Sequence, residues 1–105
     1  MQEFEDNNLK IKGKIYGTAP VQAEGIINGF PFYFRARHDE WTFAISENSD
    51  ISPIDIQLLE TGKKYGFFAE GQLGKEWEDL ASYMDVDKVK DIIVKCAREY
   101  FKARV

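Results

Sequence analysis

From Phe30 to Ser46 the apolar side chains fall on alternate positions, and the phase of that alternation changes once. Phe32, Phe34 and Ala36 share one side, against Tyr33, Arg35 and Arg37 on the other. Beyond His38-Asp39, Trp41, Phe43 and Ile45 share a side against Thr42, Ala44 and Ser46. Period-two alternation with one reversal describes two half-buried antiparallel strands joined by a turn. A second turn stands just upstream. Asn28-Gly29 is the strongest short hairpin signal, because a two-residue type I′ loop needs positive φ at both positions. With Asn28-Gly29 as that loop, Ile27 faces Phe30, Gly25 faces Phe32 and Ala23 faces Phe34. A loop of two or four residues around His38-Asp39 likewise sets Ala36 opposite Trp41, Phe34 opposite Phe43 and Phe32 opposite Ile45. Small residues then oppose large rings, and a slip of one residue would turn every ring into water.

The same pattern extends upstream. Leu9 to Tyr16 alternates, with Leu9, Ile11 and Ile15 inward; Gly17 to Pro20 is turn chemistry; Val21 to Ile27 is a strand. Pairing Ile15 with Val21 keeps both apolar sets on one face and puts Lys12 opposite Glu24, so four strands form a meander. Residues 1–8 are polar and are expected to fray. Downstream, Asn48 to Asp50 is a polar turn. Ser52-Pro53 with Asp55 reads as a helix start of one or two turns, closed by Gly62, although Ile54, Ile56 and Leu58 also alternate like a strand. Lys64 to Ala69 is a short strand, Glu70 to Asp79 a loop, and Leu80 to Met84 a short edge strand. Asp85 then caps a helix of about 17 residues, roughly 25 Å long. Its stripe is Val86, Val89, Ile93, Cys96/Ala97 and Tyr100, with acids in its first turn and bases in its last. That stripe must be covered, and the apolar face of the sheet is the available cover. The expected fold is α+β: an antiparallel β-meander of four long strands plus one or two short ones, with a C-terminal α-helix packed on one face, in a single domain 1–105.

Catalytic constellations are scarce. His38, the one histidine, stands in a turn beside Asp39 and Glu40, where a His-Asp pair is ordinary turn chemistry. Cys96, the one cysteine, lies on the apolar side of the last helix as a small hydrophobe, which excludes an internal disulfide and a multi-cysteine zinc site. Gly71 to Lys75 lacks the Gly-Lys-Ser/Thr ending of a phosphate loop. The reading is therefore a non-enzyme with no cofactor and no metal. No apolar run approaches the roughly 18 residues of a membrane span, and residues 1–6 have no signal-peptide character, so a bacterial cytoplasm is the expected location.

Charge is distributed unevenly. Residues 38–87 hold twelve acids and three bases, whereas the whole chain carries a net charge of −4. Two surfaces follow. The acidic one is a candidate protein-binding site made of Asp39, Glu40, Glu70, Glu76, Trp77, Glu78 and Asp79, with Trp77 as an anchor of the kind interfaces favour. Such a surface imitates a phosphate backbone and fits a basic, nucleic-acid-handling protein partner. The basic one is the outer sheet face, Lys10, Lys12, Lys14, Tyr16, Tyr33, Arg35 and Arg37. Cations interleaved with tyrosines on an open sheet suit single-stranded nucleic acid. A homodimer building a site between chains is a third arrangement.

The runs Tyr33-Phe34-Arg35-Ala36-Arg37, Trp41-Thr42-Phe43 and Ala81-Ser82-Tyr83-Met84 before a closing amphipathic helix resemble small proteins of bacteriophages and mobile elements, anti-CRISPR inhibitors of host defence among them. The resemblance implies an inhibitor that binds a protein partner, and these motifs define no family site to carry over.

Overall fold

The Asn28-Gly29 turn forms with φ of 54° at Asn28 and 83° at Gly29, the left-handed pair that a type I′ loop demands. A computed structural model describes residues 2–17, 20–37, 40–56, 62–72 and 86–104. Six strands, β1 (Gln2–Asp6), β2 (Ile11–Tyr16), β3 (Val21–Ile27), β4 (Phe30–Arg37), β5 (Glu40–Ser46) and β6 (Gly66–Gln72), make one antiparallel sheet in chain order. A single helical turn, α1 (Pro53–Ile56), and a 3₁₀ turn (Gly62–Tyr65) lie between β5 and β6, and α2 (Val86–Ala103) ends the described chain. The architecture is the α+β sheet-and-helix arrangement expected. The sheet differs from four long strands and one or two short ones in that β6, at seven residues, equals β3 in length.

The two derived registers hold. Gly25 faces Phe32 and Ala23 faces Phe34 across β3–β4; Phe34 faces Phe43 and Phe32 faces Ile45 across β4–β5. Phe32, Phe34 and Phe43 are fully buried. Each such ring is worth about 1.5–3 kcal/mol on burial, so a one-residue slip would forfeit several kcal/mol.

The β2–β3 register is displaced by two residues from expectation: Ile15 faces Ala23 rather than Val21, and Lys14 rather than Lys12 faces Glu24. A shift of two keeps every side chain on its own face, so the hydrophobic pattern does not discriminate between the two pairings. What discriminates is volume. The observed register sets Gly13 directly opposite Gly25, next to Phe32. A methyl group on Gly13 would lie 2.7 Å from the Glu24 carbonyl oxygen and 2.9 Å from Cζ of Phe32. Gly13 thus leaves the space that the ring occupies, and Gly25 lets the β2 backbone come close.

Residues 2–6 form a strand rather than a frayed end. Phe4 packs against the core, while Glu3 and Glu5 face Lys14 and Lys12 across β1–β2. Asp6 Oδ1 accepts from the Leu9 amide at 3.1 Å, and Lys10, with φ of 54°, completes the turn into β2. β6 begins at Gly66, later than expected, and takes in Glu70 to Gln72, which the sequence had assigned to a loop. Gly62 opens a 3₁₀ turn instead of closing a helix. The expected edge strand at 80–84 and the Asp85 cap lie outside the described residues.

α2 covers the inner face. Val89, Ile93, Cys96, Ala97 and Tyr100 are buried in one cluster with the sheet, as its periodicity requires. Phe32 stacks on Phe43 at 5.8 Å, and Phe43 and Tyr100 meet Phe67 edge-on at 6.3 and 5.7 Å.

Gly13→Ala should destabilise the protein by about 1–3 kcal/mol, because the added methyl meets a backbone carbonyl and a buried ring that cannot both move. A lowered urea midpoint at unchanged slope is the expected reading.

Candidate functional site

Alternation in the strands puts two kinds of residue on the outer face. Its corner at Ala44, Ser46 and Gly66, on β5 and β6, is covered by the chain itself. After β5, Asn48 reverses the direction, its Oδ1 accepting from the Asp50 amide at 2.8 Å and its carbonyl from the Ile51 amide at 3.1 Å. Ser52 Oγ accepts from the Ile54 amide at 3.2 Å, which starts α1 at Pro53. Ile56 is then buried beside Gly66, and Ala44 and Ser46, on the polar phase of β5, are buried as well. Ser46 Oγ lies 2.5 Å from the Ile51 carbonyl oxygen and accepts from the Asn48 amide at 3.3 Å, so its hydroxyl is satisfied within the turn.

The part of that face from β1 to β4 forms a groove of about 870 Å³ open to solvent, with α1 as one wall. Its floor comes from three-residue stretches of β1, β2, β3 and β4, and its wall from Ser52, Pro53 and Ile54. The sequence pattern did not reveal it, because it exists only once α1 folds back over the sheet.

The basic residues proposed from sequence gather only in part. Lys12, Lys14, Tyr16, Tyr33 and Arg35 share the outer face. Lys10 lies in the β1–β2 turn, ahead of the strand. Arg37 pairs with Glu40 in register. β1 adds what the sequence reading lacked: Glu3 and Glu5 stand beside Lys14 and Lys12, and Lys14 is ion-paired with Glu24 at 3.4 Å. The face is therefore mixed in sign. Its phenols are also engaged. Tyr33 Oη donates to Gln22 Oε1 at 2.6 Å, and burial pushes the Tyr33 phenol up against the opposing pull of Arg35. Burial and then the Glu24 carboxylate raise Tyr16.

Of the proposed acidic site, Glu40 and Glu70 are described. Both are exposed on the outer face of the paired strands β5 and β6. Glu40 faces Gln72, and Glu70 faces Thr42, so the two residues are diagonal neighbours on one face of the strand pair. Asp39, Glu76, Trp77, Glu78 and Asp79 lie outside the described residues.

Glu47, a further acid of the same segment, is committed to structure. It accepts from Arg104 Nη2 at 2.6 Å and from Tyr100 Oη at 2.8 Å, and Arg104 also donates to the Gly66 carbonyl at 3.1 Å. The guanidinium lies 4.9 Å from the centre of the Tyr100 ring. This knot ties the end of α2 to β5 and β6. The Arg104 hydrogen bond holds the Glu47 carboxyl below the usual carboxylate range, in spite of partial burial. Cys96 lies in the core, where burial pushes its thiol up to about 12. Among the described residues, no group of three or more His, Cys, Asp or Glu is placed to hold a metal ion, and no helix is long and apolar enough to cross a membrane. No family model, curated protein or solved structure matches the chain.

Two measurements check these assignments. Glu47 has a lowered folded pKa, so its stabilisation is complete above the ordinary carboxylate value and is lost as pH falls through the depressed one. Arg104→Ala should cost on the order of 1 kcal/mol at pH 7, about 4–8 °C in Tm, with the gap to the parent narrowing as pH falls below the ordinary carboxylate range. Cys96 should resist iodoacetamide at pH 8 in the native protein and react fully in urea, because the thiolate is the reactive form.

Proposed function

We propose that the protein is a non-enzymatic binding protein that blocks a basic, nucleic-acid-handling protein partner in a bacterial cytoplasm. An anti-CRISPR-type inhibitor is one form such a protein takes. The supporting observation is the pairing of Glu40 with Gln72. It brings the two described carboxylates, Glu40 and Glu70, onto adjacent strands at one end of the sheet. That is the end where Asp39 precedes β5 in the chain and where the stretch with Glu76, Trp77, Glu78 and Asp79 follows β6. Glu40 and Glu70 thus meet at one end of the sheet, and the other acids of the proposed site are their neighbours in the chain. A basic groove built for phosphates would be attracted to such an end at long range and held by short-range pairs.

The competing reading, a sheet that binds single-stranded nucleic acid, loses support from Glu3, Glu5 and Glu24. They stand among Lys12 and Lys14 and oppose a polyanion at the place where it would lie.

A tagged protein should retain a basic partner from bacterial lysate and lower that partner's affinity for nucleic acid. Retention should fall steeply between 50 and 200 mM salt, as expected for exposed charges with a Debye length of about 10 Å at 0.1 M. The variant Glu40→Lys/Glu70→Lys/Glu76→Lys/Glu78→Lys/Asp79→Lys should lose both effects while keeping its Tm. Tight, salt-sensitive binding of a labelled single strand by the free protein would instead establish the sheet reading.

A further inference from the structure

The groove on the outer face is a second surface, away from the acidic end, and it is graded in character. At the β1 side its lining is charged, with Glu3 and Glu5 next to Lys12 and Lys14. At the α1 side it is apolar, with Ile26, Pro31, Pro53 and Ile54. Ile26 and Ile54 are 51% and 45% exposed, and they are two of the three large hydrophobic side chains exposed among the described residues. Two aliphatic side chains left in water on facing elements of one groove are a site of unsatisfied burial, unlike an isolated surface leucine.

The charged end has a surplus of one sign. Lys14 is committed to Glu24 at 3.4 Å. Among the described residues neither Glu3 nor Glu5 has an ion-pair partner within 4.0 Å, and both are exposed on a strand whose outer side has no described neighbour. Two carboxylates stand there beside Lys12, so the charge complementary to this end is positive.

The groove's dimensions select among cationic amphiphiles. It crosses four strands, about 14 Å at the usual inter-strand spacing, and reaches only three residues, about 7 Å, along each. It is open on its long side, whereas sites for small molecules enclose most of the ligand's surface. A peptide segment brings its own covering and spans such a length with four to six extended residues. We infer that this groove binds a short segment of a protein partner that is aliphatic at one end and basic at the other. The aliphatic end would sit between Ile26 and Ile54, and the basic end would meet Glu3 and Glu5.

A second copy of this chain fits less well. Antiparallel pairing of β1 with its own copy in a Phe4-to-Phe4 register opposes Glu3 to Glu5 on both sides, and like charges directly opposite are destabilising.

The test uses three capped hexapeptides added to the isotope-labelled full chain: Leu-Leu-Ser-Lys-Lys-Lys, Leu-Leu-Ser-Glu-Glu-Glu and Ser-Ser-Ser-Lys-Lys-Lys. The first should shift the backbone amides of residues 3–5, 12–14 and 24–26 and of Ser52 and Ile54, with saturation below about 1 mM. The other two should bind at least tenfold more weakly. Ile54→Glu and Glu3→Gln/Glu5→Gln should each weaken the first peptide at least tenfold without lowering Tm, and the five-fold charge reversal at the acidic end should leave it unchanged. Absence of saturable shifts, equal binding of all three peptides, or shifts confined to residues outside the groove would each overturn the inference. Partner capture that survives Ile54→Glu alone would leave the acidic-end reading standing and remove only this one.

Discussion

The structure depends on one row of side chains across all six strands: Phe4, Gly13, Gly25, Phe32, Ile45 and Phe67. Gly13 leaves a gap that the Phe32 ring fills, and a side chain at Gly25 would run into the β2 backbone at Lys12 and Gly13. Close packing makes this a constraint on volume as much as on polarity. The neighbouring row repeats the device, with Ala23 and Ala69 flanking Phe34 and Phe43. Small positions on some strands let large rings on the others pack beneath α2.

That packing has a consequence for the other side of the sheet. With the core complete beneath α2, the polar face is left for α1 and for solvent. α1 is a single turn, too short to be stable by itself, and it is held by Ile56 against Gly66 and by the Ser46–Asn48–Ile51 hydrogen bonds. It covers only part of the face, and the boundary between covered and bare sheet is the groove. The Glu47–Tyr100–Arg104 knot sits where β5, β6 and the end of α2 converge, so it fastens helix to sheet at the edge of the core.

Much of this was legible in the chain. Asn28-Gly29 and the phase change at His38-Asp39 dictated two registers residue by residue, because a slip of one position moves rings into water. The stripe from Val86 to Tyr100 dictated the helix and the face it buries. β1 was harder to read because Phe4 is its lone apolar inward residue, and a strand with one anchor looks like a polar tail until Lys12 and Lys14 stand beside it. Glu40 and Glu70 could be named as acids from sequence, but that they are diagonal neighbours depends on β6 extending through Glu70 to Gln72, past the point where glycines and charge suggested a loop.

Local alternation, turn chemistry and helical period determined strands β2 to β5, the inner face and the closing helix, since each is decided by residues close together in the chain. Tertiary structure alone decided the β2–β3 pairing, the mixed charge of the outer face and the groove. Registers two residues apart bury the same hydrophobic set and differ only in which volumes meet. Likewise, whether a lysine lies next to a glutamate from a distant strand, or a one-turn helix lies over bare sheet, is settled by packing between segments that carry no record of each other in their own patterns.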